Sequence, residues 1–401
     1  MKRSGSSLPA EVLSYPVAAL IHASFVLTGM VTVLLGPILP ALSARWSLQD
    51  SQAGYLFTSQ FIGSMVGVGL SSVLLPRRGF QFSLVFGCGV MAGGVAALGL
   101  GTWAVGLISV FCCGIGLGIT IPATNLCVAE ANPHRRAAAL NVLNLAWGVG
   151  AVACPSVAAL LQRTSNIRAL FFGLAAALGL LSVSLAWGPF ANLGETPRQA
   201  DQSLQPRVSV WRNRFLSILS VLFFLYVGTE NALGGWVASY ARRIGGTPGT
   251  LWVLTPAFFW AALLLGRALA PAVLRHVAEA RLVLLGLLLA AFGTADLLIA
   301  RTLAGVVAGV SVAGLGLASV FPITISSLSH HFGPSASRVA GMMFALGGLG
   351  GATLPWLVGF LSTRFGSLKA GLVVPLLGSL AMIALHSFSL HPSNSDTVGF
   401  D

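Results

Sequence analysis

Twelve stretches of roughly twenty apolar residues recur along this chain, and they constrain it more than any motif does. They cover about 17–41, 53–75, 80–102, 104–130, 137–161, 169–190, 215–239, 250–274, 281–300, 303–330, 338–362 and 369–390. Some 20 such residues cross ~30 Å of hydrocarbon as a helix, and a helix satisfies its own backbone there. Only 8% of the 401 residues are charged, against roughly 25% in soluble domains, so the chain cannot cover a water-facing surface. The sequence predicts an all-α membrane protein with twelve transmembrane helices. The longest polar gap, Ala191–Arg214, has 24 residues and leaves no room for a separate soluble domain.

The net charge of +12 raises nucleic-acid binding and then excludes it, because the basic residues sit in short loops and form no basic face. Counted by loop they give an orientation instead. With a cytoplasmic N-terminus, 13 basic residues fall inside and 8 outside, with Arg267 left within the eighth span. The positive-inside rule then places both termini in the cytoplasm and the protein in the cell membrane as a multi-pass protein. The first span, with ~25 apolar residues, exceeds the 7–15 of a signal peptide and is expected to stay uncleaved. The cysteines all lie within apolar spans, which suits packing rather than a disulfide framework.

A shift of 200 residues exposes a repeat. Gly114, Gly116 and Pro122 fall on Gly314, Gly316 and Pro322; Gly148, Gly150 and Pro155 fall on Gly348, Gly350 and Pro355. Gly29 and Gly36 find Gly228 and Gly235 at a shift of 199. The chain therefore reads as two pseudo-symmetric six-helix bundles, 1–190 and 215–401, joined by a cytoplasmic linker over 191–214. Pro122, Pro322, Pro155 and Pro355 are the expected bends, since proline frees a carbonyl one turn back.

This organisation resembles the major facilitator superfamily over the whole chain. Val128-Ala-Glu-Ala-Asn-Pro-His-Arg-Arg136, leading to Asn141-Val-Leu-Asn144-Leu-Ala-Trp147-Gly148-Val-Gly150-Ala-Val-Ala-Cys-Pro155, is similar to that family's junction between helices four and five. Tyr226-Val-Gly-Thr-Glu230-Asn-Ala-Leu-Gly-Gly235-Trp236 is similar to the fucose/glucose/galactose–proton symporter branch. The segment Gly69–Gly79 departs from the family's pattern between helices two and three: it keeps Arg77 and Arg78 but lacks the aspartate. The resemblance implies alternating access around a solute site near the midplane, lined by helices 1, 4, 7 and 10.

Polar groups at membrane depth are costly and point to sites. Glu230 lies near the middle of the seventh span and shares a helical face with Tyr226, so it is the expected proton-coupling group. His22, Asn125, Asn141 and Asn144 lie in the cytoplasmic halves of spans one, four and five. The asparagine amides offer both donors and acceptors to a polyhydroxylated solute. At the 200-residue shift, Asn144 corresponds to Phe344, which suggests hydroxyls on one wall and a ring on the other. Asn231 and Trp236 complete the expected substrate-binding set of Asn141, Asn144, Asn125, His22, Glu230, Asn231, Trp236, Tyr226 and Phe344. Arg267 is expected to pair near the cytoplasmic end, with Glu130 as first candidate. Asp50 reads as a loop acid.

The expected function is proton-coupled transport of a small polar solute, a sugar or polyol, by a monomer in the lipid bilayer. An exporter of drugs or amphipathic metabolites is the alternative. No H-E-x-x-H and no G-x-x-x-x-G-K-[ST] occurs, so no enzyme, metal or cofactor is expected.

Overall fold

The computed structural model describes residues 15–163, 166–188, 214–245 and 249–389. The linker expected over 191–214 therefore lies outside the described residues except for Arg214, as do both termini. Thirteen α-helices follow one another: α1 Tyr15–Val33, α2 Leu35–Trp46, α3 Asp50–Leu100, α4 Trp103–Ala131, α5 Arg136–Arg163, α6 Ile167–Trp187, α7 Arg214–Gly245, α8 Thr255–Val273, α9 Glu279–Ile299, α10 Leu303–Leu317, α11 Val320–Phe332, α12 Ala336–Phe365 and α13 Leu368–Ser389. Among the described residues, eleven helical runs are long and apolar enough to cross a membrane, and one of them has 51 residues, enough to cross twice. The chain is a multi-pass membrane protein with the twelve-helix, two-bundle fold.

Thirteen helices make twelve spans for three local reasons. The first span breaks at Leu34 into α1 and α2, because Pro37 has no N–H to return to Val33. The tenth breaks between α10 and α11, four residues before Pro322, where Ala318 N–H bonds back to Leu315 instead, at 3.3 Å. Of the prolines expected to bend their helices, Pro322 alone coincides with a break; Pro122, Pro155 and Pro355 sit inside continuous helices.

The second and third spans run together as α3 and turn back at Gly79. Its φ of +77° and ψ of −179° lie in a region open essentially to glycine. Packing on α4 shows the reversal. Before the turn, Gly63 and Gly67 meet Phe111 and Ile115 in ascending order; after it, Gly87 and Gly94 meet Gly116 and Ser109 in descending order.

The repeat seen in the sequence is a repeat of helix contacts. Gly87 against Gly116 has its counterpart in Gly286 against Gly316, and Gly94 against Ser109 in Gly293 against Gly309. Gly150 lies on the Val26 carbonyl as Gly350 lies on that of Phe224. A side chain at any of these positions would hold two helices apart.

The halves meet toward the end that carries Asp50. Phe57 packs on Trp236 and Tyr55 on Trp356, both with ring centroids 6.0 Å apart, and Thr58 Oγ1 donates to Ala352 O at 2.7 Å. At middle depth Trp147 meets Trp260 edge to face at 5.7 Å, and Gly148 faces Leu264. Toward the opposite end, marked by Pro133, Asn141 and Asn144 of α5 are exposed and Phe344 of α12 is 47% exposed.

Candidate functional site

The seventh and eighth spans form the site. Glu230 stands at the middle of α7, and Tyr226, Glu230 and Gly234 follow one another a turn apart on one face. Gly234 has no side chain, and the Trp260 ring of α8 occupies that space. The closeness lets Arg267, two turns beyond Trp260 on α8, reach across to α7. Its Nη2 donates to Tyr226 Oη at 2.9 Å and lies 3.4 Å from Glu230 Oε2. The Tyr226 hydroxyl donates to the same carboxylate oxygen. Glu230 is only 9% exposed and Tyr226 is buried.

Arg267 is thus paired with Glu230 and Tyr226, not with Glu130 as its depth in the span suggested. Arg136 turns inward on its own helix junction, Nε donating to Ala129 O at 3.1 Å. Pairing makes a carboxylate and a guanidinium tolerable together at this depth, where either alone is costly. Aromatic rings complete the enclosure. The guanidinium lies 5.6 Å over Phe321, the second residue of α11. Phe223 bridges Tyr226 at 6.1 Å and Phe344 at 5.4 Å. Two buried donors on this face of α8, Arg267 Nε and Trp260 Nε1, have no acceptor among the described residues.

The structure brings together Tyr226, Glu230 and Phe344 from the expected set. Asn141, Asn144 and Gly148 share one face of α5; Gly148 packs against Leu264 of α8, and both asparagines are exposed. Asn144 donates to Leu140 O at 2.8 Å, Asn125 to Ile121 O at 2.8 Å and Asn231 to Val227 O at 2.8 Å. Each of these bonds stays within its own helix. His22 likewise binds Ala18 O of its own helix at 2.7 Å. Trp236 stands apart: it is buried at the Asp50 end, donating to Pro355 O at 2.8 Å, and belongs to the contact between halves. Sequence reasoning singled out Trp260 as a candidate ring but not its place against Gly234, and it did not single out Phe321 or Phe223. No local pattern marks these residues; their neighbours in space come from the break in the tenth span and from Gly234.

The sequence pattern described as Major Facilitator Superfamily matches residues 21–355. A glucose/galactose transporter of Brucella abortus is 26% identical over 370 residues, covering 85% of this chain and 86% of that protein. The glucose/mannose transporter GlcP of Bacillus subtilis is 21% identical over 355 residues, covering 84% and 86%. Among solved structures, the Escherichia coli fucose:proton symporter FucP superposes with a TM-score of 0.63 at 16% identity, covering 94% of this chain and 98% of that one. The nucleoside transporter NupG superposes with a TM-score of 0.78 at 12% identity, covering 94% and 99%. At these identities the structural likeness is one of fold.

Proposed function

The chain belongs to the major facilitator superfamily and is a transporter rather than an enzyme; from that premise we propose that it moves a sugar or polyol by alternating access, coupled to protons through Glu230. One observation carries the reading: a carboxylate at the centre of a span, held by a tyrosine hydroxyl and an arginine that can each release it. When Glu230 is ionised, Arg267 is its counter-ion. When Glu230 takes a proton, the guanidinium loses that counter-ion and is available to a solute oxygen. Proton binding and solute binding at this wall are then linked, which coupling requires, because a ligand shifts an equilibrium only by binding two states unequally.

The other features fit a neutral, acceptor-rich solute. Arg267 Nε and Trp260 Nε1 offer donors on one wall, Asn141 and Asn144 offer amides on the other, and Phe344 and Phe321 offer ring faces. The sugar transporters among the relatives support the same solute class. With both termini in the cytoplasm, as the loop charges favour, the Asp50 end faces outward. On that orientation, the packing of Phe57 on Trp236 and Tyr55 on Trp356 closes the outward end, and the exposed Asn141 and Asn144 lie toward the cytoplasm.

The test is uptake into proteoliposomes with a panel of sugars and an imposed pH gradient, comparing the native chain with Glu230→Gln. The reading expects accumulation of a sugar that the variant no longer drives, while exchange of solute across the membrane persists. Proton-driven accumulation by Glu230→Gln would remove Glu230 from coupling. Competition by amphipathic cations and not by sugars would favour an exporter.

A further inference from the structure

Asp50, read from the sequence as a loop acid, is the first residue of α3 and joins three spans across the two halves. Its Oδ1 receives Arg243 Nη2 at 2.5 Å and its Oδ2 receives Arg243 Nη1 at 2.7 Å, a parallel two-point pairing from the end of α7. The hydroxyl of Ser362, near the end of α12, donates to Oδ2 as well. Beside it, Ser51 N–H donates to Thr363 Oγ1 at 2.9 Å. Arg242, next to Arg243, reaches Pro40 O of α2 at 3.0 Å. Gly359 of α12 lies against the Asp50 carbonyl where a side chain would push the helices apart.

The Pro133 end differs. There Arg136 bonds Ala129 O, Asn132 bonds Val128 O and Arg78 lies over Phe82, each within the N-terminal half. The Asp50 end thus carries polar bonds between the halves, whereas these groups at the Pro133 end bond within one half.

We infer that Asp50, Arg243 and Ser362 form a clasp whose closing sets the fraction of molecules shut at the Asp50 end. These are positioning residues: they act on transport through the conformational population and do not touch solute. Any opening of this end must part α3 from α7 and α12, and so must break both bonds to Arg243 and the bond from Ser362. The clasp is moderate in strength because water reaches it. The Asp50 side chain is 12% exposed and that of Arg243 is 48% exposed. A contact of this kind biases a two-state equilibrium by about fivefold, the lower end of ordinary coupling between sites. That is enough to set a resting state and weak enough to be overcome in each cycle.

The experiment measures the two ends directly, by electron–electron distance spectroscopy on the full chain in liposomes, with the five native cysteines replaced. One spin-label pair sits at Ala44 and Arg364 on the Asp50 end, and another at His134 and His330 on the Pro133 end. The native clasp should give a mainly short distance at the Asp50 pair. Asp50→Asn and Arg243→Gln should each raise the longer-distance population there about fivefold and shorten the Pro133 pair reciprocally. The exchange Asp50→Arg with Arg243→Asp should restore part of the native distribution. Unchanged distributions in both single variants would overturn the clasp, as would lengthening at the Asp50 end that the exchange does not reverse at all. Should Asp50→Asn fail to fold, Arg243→Gln, on the more exposed partner, tests the same contact. No solute or proton gradient is needed, so the result stands apart from the coupling proposed for Glu230.

Discussion

Replacing Arg267 by glutamine would isolate what holds a carboxylate inside this membrane protein. Breaking a buried ion pair by removing one partner costs about 3–5 kcal/mol when the other charge is left uncompensated. A limit comes from the proton, because the stranded Glu230 can be neutralised. For a glutamate of ordinary value, about 4.3, protonation at pH 7 costs roughly 3.7 kcal/mol at about 1.36 kcal/mol per unit. The geometry lowers the figure again. The Arg267 side chain keeps 25% of its exposure and approaches the carboxylate through a single 3.4 Å contact. We expect Arg267→Gln to lose about 2–3 kcal/mol of stability, measured by unfolding in mixed micelles titrated with sodium dodecyl sulfate. The double variant Arg267→Gln with Glu230→Gln replaces a charged pair by two amides and should return to within about 1 kcal/mol of the native protein. The cycle then yields a coupling of at least about 1 kcal/mol even where Glu230→Gln alone costs nothing, above the few tenths expected of independent sites. Additive losses in the double variant would show that the two residues do not hold one another, and the account of the site would fail with them.

Gly79→Ala should destabilise the protein by about 1–3 kcal/mol in the same unfolding assay, purely through the backbone, because its conformation is one only glycine adopts readily and no atom lies within 4 Å of the added methyl; a neutral effect would mean that the turn relaxes. Asn144→Ala should weaken solute binding by about 1–3 kcal/mol while leaving stability nearly unchanged, since its amide bonds only its own helix, and equilibrium binding to the purified protein checks this.

Much of the fold was legible because it depends on periodicities a linear reading sees. Apolar length gave the spans, and the 200-residue shift gave the repeat, which proved to be a repeat of backbone contacts such as Gly150 on Val26 and Gly350 on Phe224. The shared face of Tyr226, Glu230 and Gly234 was equally legible, as i, i+4, i+8 positions of one helix. Breaks were harder. Pro122 and Pro322 occupy matched positions, yet only the second lies just beyond a helix break, so proline marks where a break is permitted rather than where it occurs.

The partners of Arg267 and Asp50 were hidden for different reasons. Residue counting assigned each group a depth as though the helices were straight and parallel, which put Arg267 near Glu130. A long side chain on a helix drawn close by Gly234 reaches a partner at another depth, and only the crossing of α7 with α8 decides which. For Asp50 a signal was present in the charges. It is the one acid in the loops placed on the outer side, where eight basic residues lie, two of them Arg242 and Arg243 at the end of the seventh span. A lone acid among so many cations on one side of a membrane is under strong electrostatic pressure to pair. Sorting acids as well as bases by side would therefore have pointed to the contact between the halves, although Asp50 and Arg243 lie 193 residues apart.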